Sequence, residues 1–281
     1  MKLKQALAQA RRTLADSSIE EASLEGELLL RHTLGLNRTQ LYLDLDRDFD
    51  PAAEDILGRL IERRLHGEPS FYIIGHREFY GIDFHINHHV LIPRPESEML
   101  VEEALVLVRN YSISQIADIG TGCGAIAVSL ALNLPGVNIY ATDISAEALE
   151  VARYNCRRHG VTERVRLLQG DMLRPLPEPV DLILANLPYV RESELPRSGP
   201  LSFEPALALN GGPDGITGIR RLCSQVHEKL SPGGFMLLEI GQGQAGTVTG
   251  ILYRTFPEAR IDVSRDFAGF ERMVSLRLTQ S

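Results

Sequence analysis

Asp118-Ile119-Gly120-Thr121-Gly122-Cys123-Gly124 runs straight into Ala125 to Leu134, an apolar helical run. Glycines at such a junction let a backbone turn sharply from strand to helix and approach a ligand with no Cβ in the way. A further strand, Val137 to Thr142, ends in Asp143, about 20 residues beyond the loop, where a carboxylate can take ribose hydroxyls. A dinucleotide fingerprint requires G-x-G-x-x-G, whereas the glycines here stand at 120, 122 and 124 and Ala125 follows. No lysine follows the loop, which disfavours a phosphate-cradling P-loop. The pattern suits an adenosyl ligand carrying an amino acid, S-adenosylmethionine, better than NAD. The next strand, Val165 to Gln169, ends in Gly170-Asp171-Met172, where a carboxylate and an apolar side chain can meet an adenine. Asp171 reads equally well as an ordinary turn acid.

From Ser114 onward strands and helices alternate, which argues for an α/β fold with a parallel sheet and helices on both faces. Ser145 caps a helix from Ala146 to about His159, and the apolar run Val180 to Ala185 is a buried strand. A helix from Ile216 to Leu230 stops at Ser231-Pro232-Gly233-Gly234. Phe235 to Ile240 is a strand, and Ala259 to Val263 and Met273 to Leu278 suit two final strands. The strand at Val180 closes on Asn186-Leu187-Pro188-Tyr189. An amide side chain, a backbone stiffened by Pro188 and an aromatic ring can together hold a planar –NH2 group. Carbonyl oxygens accept both N–H bonds and the ring packs on its face. The plainer alternative is a strand ending in a proline turn. These loops all fall at the carboxyl ends of strands, where ligands bind in such sheets.

Composition bounds the rest. A chain of 281 residues with 44% hydrophobic content can bury one large core, or a large and a small one. No apolar run approaches bilayer length, so a soluble protein is expected. Met1 to Leu14 carries Lys2, Lys4, Arg11 and Arg12 with no acid, as a transit peptide does. However, Leu3, Leu7, Ala10 and Leu14 repeat at helical spacing and Asp16, Glu20 and Glu21 follow, so the segment reads as a first domain helix. Cys123, Cys156 and Cys223 match no metal spacing and leave one unpaired in any disulfide scheme, pointing to a reducing, cytoplasmic setting. A net charge of −8 argues against a protein that grips a nucleic-acid backbone and favours a protein or small-molecule substrate. Arg63-Arg64 with His66 reads as a solvated helix end that suits the helix dipole.

Three parts are expected. Residues 1–67 form a helical domain, with Ser18 and Glu21 as a capping box, Gly35 as a helix stop, and Asp50-Pro51 opening another helix. The face bearing Leu24, Leu28 and His32 is either bundle core or a partner surface. Residues 68–92 link the lobes through a hairpin, suggested by Phe79, Gly81, Phe84, Ile86 and Val90. His76, His85, His88 and His89 crowd it without a carboxylate or Cys at ligand spacing, so they are taken as solvated histidines and no metal is assigned. Residues 93–281 form the α/β domain.

Further segments carry a specific likeness: Gly67-Glu68-Pro69, Tyr72-Ile73-Ile74-Gly75, Glu78-Phe79-Tyr80-Gly81, and Leu91-Ile92-Pro93-Arg94-Pro95-Glu96-Ser97-Glu98. To these belong Ala141-Thr142-Asp143-Ile144-Ser145, Phe203-Glu204-Pro205 and Gly211-Gly212-Pro213-Asp214-Gly215. The α/β part is similar to class I S-adenosylmethionine-dependent methyltransferases, with their Rossmann-like sheet. The whole chain resembles the bacterial release-factor glutamine methyltransferases, the HemK/PrmC family. The segment Ile92 to Glu96 is far more specific than any glycine loop. Pro93 and Pro95 should make it a stiff, extended wall between lobes, with Arg94 and Glu96 joining the site or pairing with each other. The family usually has Pro where Leu187 stands and Thr where Ser97 stands.

The resemblance implies methylation of the side-chain amide of the glutamine in the Gly-Gly-Gln motif of class I peptide-chain release factors. It implies S-adenosylmethionine held by Asp118, Gly120, Thr121, Gly122, Cys123, Gly124, Asp143, Ile144, Asp171, Met172 and Asn186. Asn186, Leu187, Pro188 and Tyr189 would form the catalytic segment, and the first domain would recognise the protein substrate. No membrane or direct nucleic-acid partner is expected. Asn-Leu-Pro-Tyr is also similar to the motif of ribosomal-RNA adenine dimethyltransferases, so an adenine N6-methyltransferase acting on DNA or RNA is the alternative.

Overall fold

The computed structural model of the chain describes residues 1–279. It divides into two units, Met1–His76 with Pro196–Phe203, and Arg77–Leu195 with Glu204–Ser281.

The first unit contains α1 (Leu3–Asp16), α2 (Ala22–Leu34), α3 (Arg38–Leu43), α4 (Pro51–Leu65) and α5 (Ser70–Ile74). The helical spacing at the start of the chain produces the expected buried stripe of Leu3, Leu7, Ala10 and Leu14. Gly35 ends α2 in the left-handed conformation, and Asp50 caps α4 by accepting the Ala52 N–H at 2.9 Å. The capping box expected at Ser18 and Glu21 does not form. Ser18 turns left-handed (φ 58°), and α2 starts after Glu21 without a side-chain cap. Asn37 and Gln40 form such a box one helix later. The face of Leu24, Leu28 and His32 is not the core face. Ala22, Gly26, Leu29 and Leu30 turn inward, with Glu27 buried where Arg11 and Arg38 pair with it at 3.2 and 3.0 Å. Arg64 is likewise no solvated helix end, because it is 8% exposed and pairs with Glu25, which also accepts from Ser70.

In the second unit a two-stranded hairpin, β1 (His76–Phe79) and β2 (Ile82–His85), precedes the main sheet. Arg94 is extended, as expected, but Pro95–Ser97 then curl into a 3-10 turn that leads into α6 (Glu98–Asn110). The parallel strands are β3 (Gln115–Ile119), β4 (Asn138–Asp143), β5 (Val165–Gln169), β6 (Val180–Ala185) and β7 (Leu230–Glu239). Strand β9 (Glu271–Arg277), antiparallel to both of its neighbours, and the edge strand β8 (Arg260–Arg265) complete a seven-stranded sheet of order β5-β4-β3-β6-β7-β9-β8. On one face lie α7 (Ala125–Asn133) and α8 (Ala146–Arg158), with α6. After α9 (Ala206–Leu209), α10 (Thr217–Val226) and α11 (Ala245–Thr255) cover the other, where Ile183, Met236 and Val274 meet Leu222, Val248 and Leu252. The largest shift of a boundary is between α10, which ends at Val226, and β7, within which Ser231-Pro232-Gly233-Gly234 lies. Its pairing with β6 jumps from Val180–Leu230 to Leu182–Phe235, so the extra residues form a bulge that tolerates proline and glycine.

The chain passes from β3 outward to β5 and then crosses back to β6, on the other side of β3. The carboxyl ends of β3 and β6 are therefore neighbours at a topological switch point, the favoured ligand site of such sheets.

Candidate active site

The loop after β3 is pinned from below. Asp118, 1% exposed, accepts the Thr121 hydroxyl at 2.6 Å and also the Ala127 backbone N–H. Burial pushes its carboxyl up to about 6, against those hydrogen bonds. Gly120 and Gly122 take φ of +72° and +57°, and no atom lies within 4 Å of where a Gly122 Cβ would stand. The loop thus presents bare backbone to open space. Gly124 is left-handed too, at φ +83°, and packs against Ala152 instead of facing open space.

Asp143 closes β4 facing this loop. Its Oδ2 accepts the Gly122 N–H and its Oδ1 the Ser145 N–H, both at 2.9 Å. Burial raises its pKa while the backbone N–H groups of Ser145, Gly122 and Ile144 oppose the shift. A carboxylate offers about four lone-pair sites, so acceptor capacity remains for a diol. Asp171 accepts from Gln225 at 3.2 Å and pairs with Arg221 at 2.9 Å. Met172 next to it is left-handed at φ 52°, a strained position for a side chain with a Cβ.

These groups share one cavity of about 480 Å³. Gly120, Thr121, Gly122, Cys123, Asp143, Ile144, Asp171, Met172, Asn186, Leu187 and Pro188 all line it. Asp118, Gly124 and Tyr189 are not among its walls: the first anchors the loop, and the second packs on α8. Tyr189 sits instead with its ring edge beside Gly241, and burial raises its phenol pKa. Cys123 keeps a protonated thiol, pushed up to about 12 by burial, and its carbonyl accepts from Asn155. His88 and His89 are exposed, as expected, with their rings tilted 46° at 4.0 Å between centroids, and both border the same cavity.

Close backbone approach holds the segment after β6. A Cβ on Gly211 would meet Gly215 O at 2.6 Å and Pro188 O at 2.7 Å; one on Gly215 would meet Tyr189 O at 2.5 Å. Gln244 also donates to the Tyr189 carbonyl at 3.0 Å. The side chain of Leu187, 5% exposed, fills space left by two more glycines, 3.5 Å from a Cβ position on Gly120 and 3.6 Å from one on Gly218. Leu187 at a position where the family resemblance leads one to expect Pro is thus accommodated from below. Arg94 does not pair with Glu96 but with buried Glu204, which also accepts the Ile92 N–H at 3.1 Å. That ion pair ties the proline segment to the Phe203-Glu204-Pro205 motif.

Glu239 escaped sequence reading, and so did the partners of Ser97. Asn186 donates through Nδ2 to Ser97 Oγ at 2.8 Å, and Ser97 donates to Glu239 Oε2 at 2.6 Å. The signal for Glu239 was an acid closing the apolar strand β7, whose Leu238 pairs with Ala185 beside Asn186.

The residues fit an adenosyl cofactor: a glycine-lined backbone cradle, an acid with spare acceptor sites, and apolar walls. None of the side chains at the junction of loop and Asn186 supplies a strong base, and no metal-holding group of His, Cys, Asp and Glu occurs among the described residues. What the arrangement offers an acceptor group is hydrogen-bond alignment.

Family models match in two places, the PrmC N-terminal domain at residues 5–75 and the methyltransferase small domain at residues 96–197. The chain is 42% identical over 274 residues to the release factor glutamine methyltransferase of Moorella thermoacetica, covering 97% of both chains. It is 39% identical over 285 residues to that of Bradyrhizobium diazoefficiens, covering 97% of this chain and 95% of the relative. Among solved structures, a methyltransferase from Pyrococcus furiosus superposes with a TM-score of 0.53 at 19% identity, over 72% of this chain and 91% of that one. The last likeness concerns the fold.

Proposed function

The chain belongs to the release factor glutamine methyltransferase family, and on that premise we propose that it methylates the side-chain amide of the Gly-Gly-Gln glutamine of class I release factors. The observation that carries this reading is Asn186, an amide at the wall of the cavity beside the glycine loop. S-adenosylmethionine, when bound, supplies a methyl group made electrophilic by its sulfonium. Gly120 to Cys123 would cradle it through backbone, and Asp143 would accept its ribose hydroxyls. Asp171, Met172 and Ile144 would bound the adenine side.

A primary amide nitrogen is a poor nucleophile, because its lone pair is delocalised, and it does not ionise near neutral pH. Asn186 Oδ1 and the Leu187 carbonyl accept its two N–H bonds in this mechanism, which turns the nitrogen toward the methyl. Pro188 and the Gly211–Gly215 loop fix the backbone that carries both oxygens. Catalysis is then alignment for displacement, with the proton leaving to solvent during or after transfer. The helical first unit would contact the release factor, and a cytoplasmic setting suits such a substrate; no helix among the described residues is long and apolar enough to cross a membrane.

The test offers the purified protein labelled S-adenosylmethionine with a release factor, DNA and RNA in parallel. Label is expected on the release factor alone. Label on adenine in nucleic acid, with the release factor unlabelled, would overturn the reading.

A further inference from the structure

Asn186 is gripped from behind by a chain of two buried groups. Its Nδ2 donates to Ser97 Oγ at 2.8 Å, and Ser97 donates to Glu239 Oε2 at 2.6 Å. Ser97 and Glu239 are each 4% exposed, whereas Asn186 reaches the cavity. The three lie on separate elements, Ser97 in the 3-10 turn before α6, Glu239 at the end of β7 and Asn186 just past β6. We propose that Ser97 and Glu239 are positioning residues that hold the Asn186 amide with its Oδ1 facing the acceptor. This rests on the glutamine methyltransferase reading and assigns how that site keeps its polarity.

The argument is one of proton counting. A serine hydroxyl has a single proton. An ionised Glu239 only accepts, so it takes that proton, and Ser97 is left able only to accept from Asn186. Asn186 must then turn its NH2 toward Ser97 and its oxygen toward the cavity. A substrate –NH2 needs acceptors, so this orientation is the productive one. If Glu239 gains a proton, it donates to Ser97 Oγ, and the Ser97 proton becomes free for Asn186 Oδ1. The amide can then turn over and offer the acceptor a donor. Burial pushes the Glu239 carboxyl up to about 7; the Ser97 hydroxyl opposes this, Glu96 adds to it, and Arg272 and Arg94 oppose it. Tyr189, whose phenol feels the Glu239 charge, also faces it. Ionisation of Glu239 thus selects the polarity of the chain near neutral pH.

The experiment measures kcat and KM for methyl transfer to a release factor, and S-adenosylmethionine binding by calorimetry, in the full chain and three variants. Ser97→Ala should lower kcat about 10- to 100-fold while cofactor Kd stays within about threefold, because one orienting hydrogen bond is lost and the cradle is untouched. Ser97→Thr, which keeps the hydroxyl, should recover kcat to within about threefold of the parent. Parent kcat should fall as pH drops through about 7, and Glu239→Gln should remove that limb at a lower, flat rate. Parent-like kcat in Ser97→Ala, a loss that Ser97→Thr does not repair, or an unchanged limb in Glu239→Gln would overturn the proposal. Nuclear magnetic resonance of the Asn186 side-chain NH2 gives a readout independent of the reaction. Its shift should titrate with the same midpoint and cease to do so in Glu239→Gln. If the parent methylates no release factor but this titration holds, the acceptor reading fails and the positioning chain stands. If transfer proceeds but the Asn186 resonance ignores both substitutions, the positioning chain fails alone.

Discussion

Asp143 Oδ2 accepts the Gly122 backbone N–H at 2.9 Å, joining the acid at the end of β4 to the loop that follows β3. The same carboxylate therefore shapes the cradle and, in the proposed mode of binding, would offer its remaining lone pairs to the ribose. Asp143→Ala should weaken S-adenosylmethionine binding about 10- to 100-fold, the loss of one or two hydrogen bonds to a charged group. Calorimetric titration checks this, and an unchanged Kd would remove Asp143 from the cofactor site.

Asn186→Ala deletes the acceptor oxygen without disturbing the loop after β3. By analogy with the removal of one oxyanion-hole donor, the barrier should rise by about 3 kcal/mol, roughly 100-fold in kcat. Rapid-quench turnover with cofactor saturating measures the chemical step. Intact turnover would mean that another group aligns the acceptor amide.

Gly211 has no room for a methyl group, with Pro188 O 2.7 Å and Gly215 O 2.6 Å from its Cβ position. Gly211→Ala should force backbone apart, destabilise the protein by about 1–3 kcal/mol and lower kcat by moving the Leu187 carbonyl. Gly246→Ala is the control, because nothing lies within 4 Å of a Cβ there. Urea unfolding and turnover of the two variants separate crowding from a general intolerance of substitution.

Asp118 makes stability depend on pH. Its folded pKa, about 6, lies above its ordinary value of 3.8, so the fold favours the neutral acid. The stabilisation is fully present below the ordinary value and is lost as pH rises through about 6. Relative to Asp118→Asn, which does not titrate there, the parent should lose on the order of 3 kcal/mol between about pH 4 and about pH 8. Urea midpoints across that range test the sign: a difference that grew toward high pH in favour of the parent would contradict it.

The sheet and the glycine loop were legible because their signals are local. Glycines at 120 and 122, the apolar helix after them and the acid at 143 each act through neighbouring backbone. What stayed hidden depends on distant pairs. Ser97 and Glu239 are 142 residues apart in sequence, and Arg94 meets Glu204 across 110. No spacing rule joins such residues; only the order of the strands brings them together. Local rules also failed where tertiary contacts prevailed. Ser18 has the right spacing for a capping box but adopts φ 58° in the turn between α1 and α2. Ser231-Pro232-Gly233-Gly234 reads as a helix stop, yet the paired edge of β6 draws it into β7 as a bulge. Leu24 and Leu28 look like core positions on α2, whose rotation instead buries Glu27 among arginines.

Mass-spectrometric mapping of the methylated release factor tests the central claim most directly. The account predicts one added methyl on the glutamine side-chain nitrogen of Gly-Gly-Gln, and none on a release factor carrying alanine in place of that glutamine. A methyl on any other atom, or undiminished labelling of the alanine variant, would contradict it.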